Sequence, residues 1–338
     1  MGLKLQDAVV VVTGASSGIG RATAELLAES GATVVAVARR EGPLQQLADR
    51  YPGNGHNDEQ RGSKGRVVAR PADVTDAEAL ERIAKDTVSD FGWLDAWVNN
   101  AAVNQYGTFE EVPLEEWRRV VETNLFGYAH GARAAIPYFR EQGKGVLINV
   151  SSVLGKVPSP LQSAYIASKF GINGLSAALR QELLDVPGVT VSTVMPGPID
   201  TPLFQHAANH TGYRVTPPAP TVDAARVAVA IVKNIRRPRP EVPVGISTRP
   251  ALLGRRLMPK KTERIAAPVS AAAHLTDEPS GRTAGNVMEP VGEGTEVSGG
   301  WKPARASNPG RTLAIVAVVG AVAATWWTAR SNEQQMRS

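Results

Sequence analysis

Seven short apolar runs punctuate the first 250 residues, each separated from the next by a longer stretch of mixed polarity. They fall at 8–12 (AVVVV), 33–37 (TVVAV), 66–69, 94–98 (LDAWV), 145–150 (GVLINV), 189–194 (VTVSTV) and 242–246. Their brevity, β-branched content and flanking glycines mark buried strands rather than pieces of helix. Between them, apolar positions recur at three- and four-residue intervals over about 19–29, 41–50, 76–90, 114–140, 162–185 and 222–235. That period predicts amphipathic helices. Strand and helix alternating at this spacing predict an α/β fold, a doubly wound parallel sheet with right-handed crossovers. Ligands of such a sheet bind outside the carboxyl ends of its strands, so chemistry is expected just after each apolar run. Residues 53–65, polar and rich in glycine, read as a surface loop insertion.

From residue 236 to 264 the pattern changes. Nine basic residues (Arg236, Arg237, Arg239, Arg249, Arg255, Arg256, Lys260, Lys261 and Arg264) meet only Glu241 and Glu263. That stretch carries +7, so the rest of a chain with formal charge +5 sums to −2. Within it, 251–265 reads as a basic shoulder on the body. It lacks aromatic interleaving and a recognition-helix pattern, so nucleic acid is not expected as a partner. A solvated face and a membrane-facing patch both remain open.

Residues 266–310 hold seven Gly and five Pro in 45 positions with no sustained apolar period, the composition of a flexible linker. Eighteen uncharged residues follow, Thr312 to Ala329, bracketed by Arg311 and Arg330. As a helix they would span about 27 Å, close to the ~30 Å hydrocarbon core, with Trp326 and Trp327 placed for an interfacial belt. The segment reads as a transmembrane helix; a hydrophobic helix folded back onto the body would use the same residues. The expected organisation is a single catalytic domain over 1–250, the shoulder, the linker over 266–310 and the span over 312–329.

Of the 338 residues none is cysteine, which excludes disulfides, thiolate–zinc sites, iron–sulfur ligation and a Cys nucleophile. The chemistry sits in three places. Straight after the first strand comes Thr13-Gly14-Ala15-Ser16-Ser17-Gly18-Ile19-Gly20. Glycines there let the backbone turn tightly and approach a pyrophosphate at a helix N-terminus, although a plain strand–helix turn uses the same residues. The second strand ends in Ala38-Arg39-Arg40 instead of an acidic residue. A guanidinium pair suits a dianionic 2′-phosphate, so NADP(H) is expected over NAD(H). Third, Tyr165 and Lys169 lie four apart on one helix face, where the ammonium would lower the phenol toward the working pH of a general acid/base. Ser151-Ser152, at the end of a strand, offers a hydroxyl where charge would develop on a substrate oxygen; a turn or helix cap is the plainer use of it.

In this order the motifs resemble the short-chain dehydrogenase/reductase family, in the branch with TGxxxGxG and YxxxK signatures. The likeness rests on TGASSGIG at 13–20, Asp73-Val74, Asn99-Asn100-Ala101-Ala102, Asn124, Ser152, Tyr165 with Lys169, and Pro196-Gly197 followed by Thr201, and covers about residues 5–250. It implies a Rossmann-like fold and hydride transfer between a nicotinamide and a carbonyl or secondary alcohol. Tyr165 would then move the proton, Ser152 orient the substrate oxygen, Lys169 bind the nicotinamide ribose and Asn124 hold a relay water. The coenzyme would lie on Gly14, Ser16, Ser17, Gly18, Ile19, Gly20, Arg39, Arg40, Asp73, Val74, Asn100, Tyr165, Lys169, Pro196, Gly197, Ile199 and Thr201. Ala102 departs from the usual Gly of its motif.

The resemblance further implies a homo-oligomer and a substrate lid over 202–218, whose Leu203, Phe204 and Tyr213 suggest a small molecule with hydrophobic bulk. His206 and His210 have no third ligand nearby, so no metal is expected. With no export signal and a need for NADPH, the catalytic body is expected in the cytoplasm, held to a membrane by the C-terminal span or otherwise free. A non-catalytic dinucleotide-binding scaffold or sensor is the alternative. It would be expected to have lost Tyr165 or Lys169, and both are present.

Overall fold

The computed structural model describes residues 3–53, 65–245 and 248–301. Most of the loop insertion, the last part of the expected linker and the 312–329 span lie outside the described residues. Among those that are described, no helix is long and apolar enough to cross a membrane.

The elements follow the apolar pattern closely. In chain order they begin β1 (Val9–Thr13), α1 (Gly18–Glu29), β2 (Thr33–Ala38), α2 (Glu41–Arg50), β3 (Arg66–Pro71), α3 (Ala77–Phe91), β4 (Ala96–Asn99) and β5 (Gln105–Tyr106). Next come α4 (Leu114–Val121), a π-helical turn (Glu122–Phe126), α5 (Gly127–Gln142), β6 (Gly145–Val150), α6 (Ser163–Glu182), β7 (Val189–Pro196) and β8 (Ile199–Asp200). The chain continues through α7 (Leu203–His206), β9 (Ala208–Asn209), β10 (Tyr213–Val215), β11 (Val222–Asp223), α8 (Ala224–Arg236) and β12 (Glu241–Val244). It closes with α9 (Thr248–Leu257), α10 (Pro259–His274) and β13 (Leu275–Pro279).

Seven strands form one parallel sheet in the order β12-β7-β6-β4-β1-β2-β3. All five residues of β1 are buried, as a central strand covered on both faces requires. Val10, Val12 and Val34 pack against α1 and α8 on one face. Val11, Val35 and Trp97 pack against α3 and α5 on the other. Strand order reverses between β1 and β4, which opens the crevice where a doubly wound sheet binds ligands. The single expected helix over 114–140 is instead two helices joined by the π turn. The one extra residue of a π turn is too small a break for a spacing of three and four residues to locate.

The C-terminal part departs from expectation. Residues 266–301 are not a free linker. α10 continues to His274, β13 pairs antiparallel with β10, and the chain then runs back across the carboxyl ends of the strands as an extended strap. The Asn286 N–H donates to the His206 carbonyl at 2.8 Å, and the Gly18 N–H donates to the Glu296 carbonyl at 3.0 Å. Composition misleads here because glycine permits close contact as well as looseness. A Cβ on Gly285, whose φ is +53°, would lie 2.2 Å from the His206 carbonyl oxygen. The segment lacks regular structure because it is fitted to the surface beneath it.

Candidate active site

One cleft runs along the strand ends from the β1–α1 turn to α6, and nearly every sequence-predicted residue lines it. Gly14, Ser16, Ser17, Gly18 and Ile19 form its floor. Ser17 precedes α1 in extended conformation without a side-chain capping bond, and the Gly18 N–H at the start of the helix is taken by the Glu296 carbonyl. Asn100 braces this turn: its amide donates to the Thr13 carbonyl at 3.0 Å, while its N–H donates to the Thr13 hydroxyl at 2.9 Å. Gly20 does not line the cleft. A Cβ there would sit 2.1 Å from the Gly14 carbonyl oxygen, so this glycine lets helix and turn close on each other.

At the ends of β2 and β3, Arg39, Arg40, Asp73 and Val74 gather on the same rim. Both guanidiniums are already engaged by the strap. Arg39 donates to the Asn286 and Met288 carbonyls at 2.6 and 3.0 Å, and Arg40 to those of Glu293 and Val291 at 2.7 and 3.2 Å. Arg40 also reaches the Ser16 hydroxyl at 3.2 Å. Asp73 accepts from the Thr75 N–H and hydroxyl and pairs with Arg119 at 2.5 Å. Burial raises its carboxyl, but those Thr75 bonds together with Arg119 and Arg39 hold it below its ordinary value.

The opposite end holds the hydroxyls. β6 delivers Ser151 and Ser152 to the cleft, and the first turns of α6 carry Tyr165 and Lys169, all four of them buried. The Ser152 Oγ accepts from the Leu154 N–H at 3.1 Å and hydrogen-bonds the Tyr165 phenol. The Lys169 Nζ donates to the Val150 carbonyl at 2.9 Å and more weakly to the Tyr128 hydroxyl at 3.5 Å. It stands 5.1 and 5.4 Å from the ring centroids of Tyr128 and Tyr165.

One sequence expectation needs correction here. Burial pushes the Tyr165 phenol up to about 12, and the Ser152 hydrogen bond is what opposes it. Burial also brings the Lys169 ammonium down to about 7, so the lysine does not acidify the phenol in this arrangement. Its charge is itself costly in a site with no carboxylate partner. Asn124, in the π turn, lies beneath the cleft rather than in it. Its Oδ1 accepts from the Val103 N–H, and its Nδ2 donates to the Val103 carbonyl, each at 2.9 Å, and to the Ser168 hydroxyl at 3.3 Å. These bonds make the side-chain amide a brace between residue 103 and α6, with one lone pair of Oδ1 still unused.

Pro196, Gly197, Ile199 and Thr201 close the far wall, as expected. Between the last two, buried Asp200 anchors the strap through the Ser298 hydroxyl and the N–H groups of Gly299 and Trp301, at 2.7 to 3.0 Å. Of the expected lid, Leu203 and Phe204 line the cleft, whereas Tyr213 stands half-exposed on the surface in β10. His206 faces the cleft; His210 turns away to the buried Glu116 at 2.8 Å.

Sequence reasoning missed four contributors. Tyr128 shares the Val150 carbonyl with Lys169, at 2.8 Å, and had no signal beyond a helical spacing. Tyr106, Gln162 and His274 line the substrate end, one from β5, one ahead of α6 and one from the C-terminal segment. Only the tertiary fold brings them together.

Against known proteins, the family model described as short chain dehydrogenase matches residues 8–212. An uncharacterized oxidoreductase of Bacillus subtilis, YxnA, is 34% identical over 314 residues, covering 89% of this chain and 84% of that protein. A short-chain dehydrogenase from Streptomyces avermitilis superposes with a TM-score of 0.65 at 31% identity, over 79% of this chain and 98% of its own. A metagenomic short-chain oxidoreductase solved in complex with NADP gives 0.59 at 28% identity, over 72% and 98%.

Proposed function

Because this chain belongs to the short-chain dehydrogenase family, we propose that it is an NADP(H)-dependent oxidoreductase interconverting a carbonyl and a secondary alcohol, with Tyr165 as general acid/base. The observation that carries the reading is the meeting of Ser152, Tyr165 and Lys169 at one end of a cleft whose other end is a glycine turn and two guanidiniums. NADP(H), when bound, supplies or takes the hydride.

The residues present fit a dinucleotide. The glycine turn admits close approach, the N-terminus of α1 favours an anion, and Arg39 and Arg40 stand where a 2′-phosphate would need a cation. In favour of NADP(H) over NAD(H) are that arginine pair, the absence of an acid at the end of β2, and the NADP in the metagenomic neighbour. Since strap carbonyls occupy the same guanidiniums and the Gly18 N–H, the strap must yield some of these bonds as the coenzyme enters.

At neutral pH a phenol at about 12 is fully protonated, so Tyr165 is loaded to donate to a carbonyl oxygen that gains negative charge. Ser152, within reach of the phenol, donates to the same oxygen as an oxyanion-hole group would. Lys169, at about 7, exchanges protons readily near neutrality and can return one to the spent phenolate. A protonated phenol is the form of Tyr165 that the reductive step uses.

The test is Tyr165→Phe, assayed by NADPH oxidation against aldehydes and ketones graded by chain length and ring size, alongside direct measurement of coenzyme binding. Turnover should fall by at least about 1,000-fold, at the upper part of the range for a lost proton donor, with the NADPH Kd changed less than about threefold. Turnover like that of the wild type would remove Tyr165 from the chemistry.

A further inference from the structure

The substrate end of the cleft carries a hydrogen-bonded chain whose direction is fixed by the backbone at both ends. The Gln105 N–H can only donate, and it donates to the Asn104 Oδ1 at 2.8 Å. The Asn104 Nδ2 then donates to the Gln162 Oε1 at 2.9 Å. The Gln162 Nε2 faces the His274 Nε2 at 3.3 Å, and the His274 Nδ1 faces the Thr216 carbonyl at 3.3 Å. A carbonyl can only accept, so the imidazole proton is on Nδ1 and its Nε2 accepts from Gln162. Every hydrogen in the chain points one way, and the spare hydrogens of the two amides are donors.

Beside this chain stands Tyr106, 1% exposed, with its ring 5.4 Å from that of His274. Its hydroxyl is buried without a hydrogen-bond partner of good geometry. A buried donor with nothing to donate to is costly unless a ligand completes it. Burial holds His274 down at about 4, so the imidazole is neutral near pH 7. Beyond Tyr165 the lining is Asn104, Tyr106, Gln162, Phe204, Ser270 and His274 with aliphatic neighbours, and it carries no charged side chain among the described residues.

Resting on the function proposed above, we infer that Tyr106 and Gln162 form a second oxygen-binding site in the substrate pocket, selecting compounds whose reacting carbonyl is accompanied by a second, uncharged carbonyl oxygen. Keto esters, keto amides, keto thioesters and diketones satisfy this description. A free keto carboxylate does not, since the wall offers hydrogen-bond donors and no cation. A simple ketone leaves the Tyr106 donor unpaired, and sites built to bond a polar group discriminate strongly against analogues that lack it. His274 acts through Gln162 as a positioning residue, so the C-terminal segment, beyond the 8–212 family match, helps to set substrate choice.

The experiment compares an alkyl acetoacetate, the 2-alkanone of equal chain length and free acetoacetate, using the full chain and saturating reduced coenzyme. With about 0.5–1.5 kcal/mol per neutral hydrogen bond and two donors, the keto ester should exceed the ketone in kcat/KM by about 10- to 100-fold. Free acetoacetate should be the poorest of the three. Tyr106→Phe should shrink the ester-to-ketone ratio by about 3- to 10-fold, chiefly through KM, and Gln162→Leu should do the same independently. Equal turnover of ester and ketone by the wild type, or a ratio untouched by Tyr106→Phe, overturns the inference and leaves the oxidoreductase reading intact. No turnover of any carbonyl compound by the wild type would instead defeat that reading.

Discussion

Lys169 is held at a cost to the fold, and replacing it with methionine should expose that cost. The side chain is 2% exposed, and burial brings its ammonium from 10.5 down to about 7. At ~1.36 kcal/mol per pH unit, the charged form is disfavoured by up to about 5 kcal/mol relative to water. Methionine fills a similar volume without the charge. The amine's bonds are worth about 1 kcal/mol each, and the Val150 carbonyl it leaves still accepts from Tyr128 at 2.8 Å. Lys169→Met should therefore stabilise the protein at pH 7 by about 3 kcal/mol, or about 5–10 °C in Tm, while abolishing turnover.

The pH dependence is the sharper signature. The unfolded lysine stays protonated up to 10.5, the folded one only to about 7, so between those values the unfolded chain binds more protons and wild-type stability rises with pH. The variant lacks this rise. Its advantage should be full below about pH 7 and gone near 10.5, as read from thermal melts of both proteins across that window. A variant less stable than wild type at pH 7, or a difference constant from pH 7 to 10, would refute the reasoning.

Two further substitutions probe the coenzyme end. Arg39→Ala removes a guanidinium whose charge-assisted bonds are worth about 1.5–3 kcal/mol each, so the NADPH KM should rise about 10- to 100-fold and the NADH KM less than threefold. Equal effects on the two coenzymes would remove the 2′-phosphate argument. Gly20→Ala places a methyl 2.1 Å from the Gly14 carbonyl oxygen, so helix and turn must separate. Coenzyme affinity should fall at least tenfold with a lowered Tm; an unchanged Kd would mean that the turn is not part of the site.

The fold was legible where burial is two-sided and local. Runs such as Val9–Val12 and Val146–Val150 have no reading other than a central strand, and the helices between them follow from spacing. The serine, tyrosine and lysine of the cleft were legible because strand end and helix face fix them within short stretches of chain. What escaped was long-range or a matter of environment. Tyr106 and His274 lie 168 positions apart, and no local pattern links them. The protonation of Lys169 depends on desolvation rather than on its neighbour four residues away. The strap was misread because its glycines and prolines are equally at home in loose chain and in backbone pressed against a surface.

That strap also bears on where the molecule can be cut. A recombinant version shortened to the last strand of the sheet, or to the family match at 212, would lose the Asn286 and Glu293 carbonyls that hold Arg39 and Arg40. It would also uncover Asp200, which is 1% exposed and receives three of the strap's donors. Trp301 belongs to what must be kept, because its indole N–H donates to the Thr201 carbonyl at 3.0 Å and its ring meets Phe204 edge-on at the cleft mouth. A shortened version that ends before that tryptophan gives up the strap's last hold on the body.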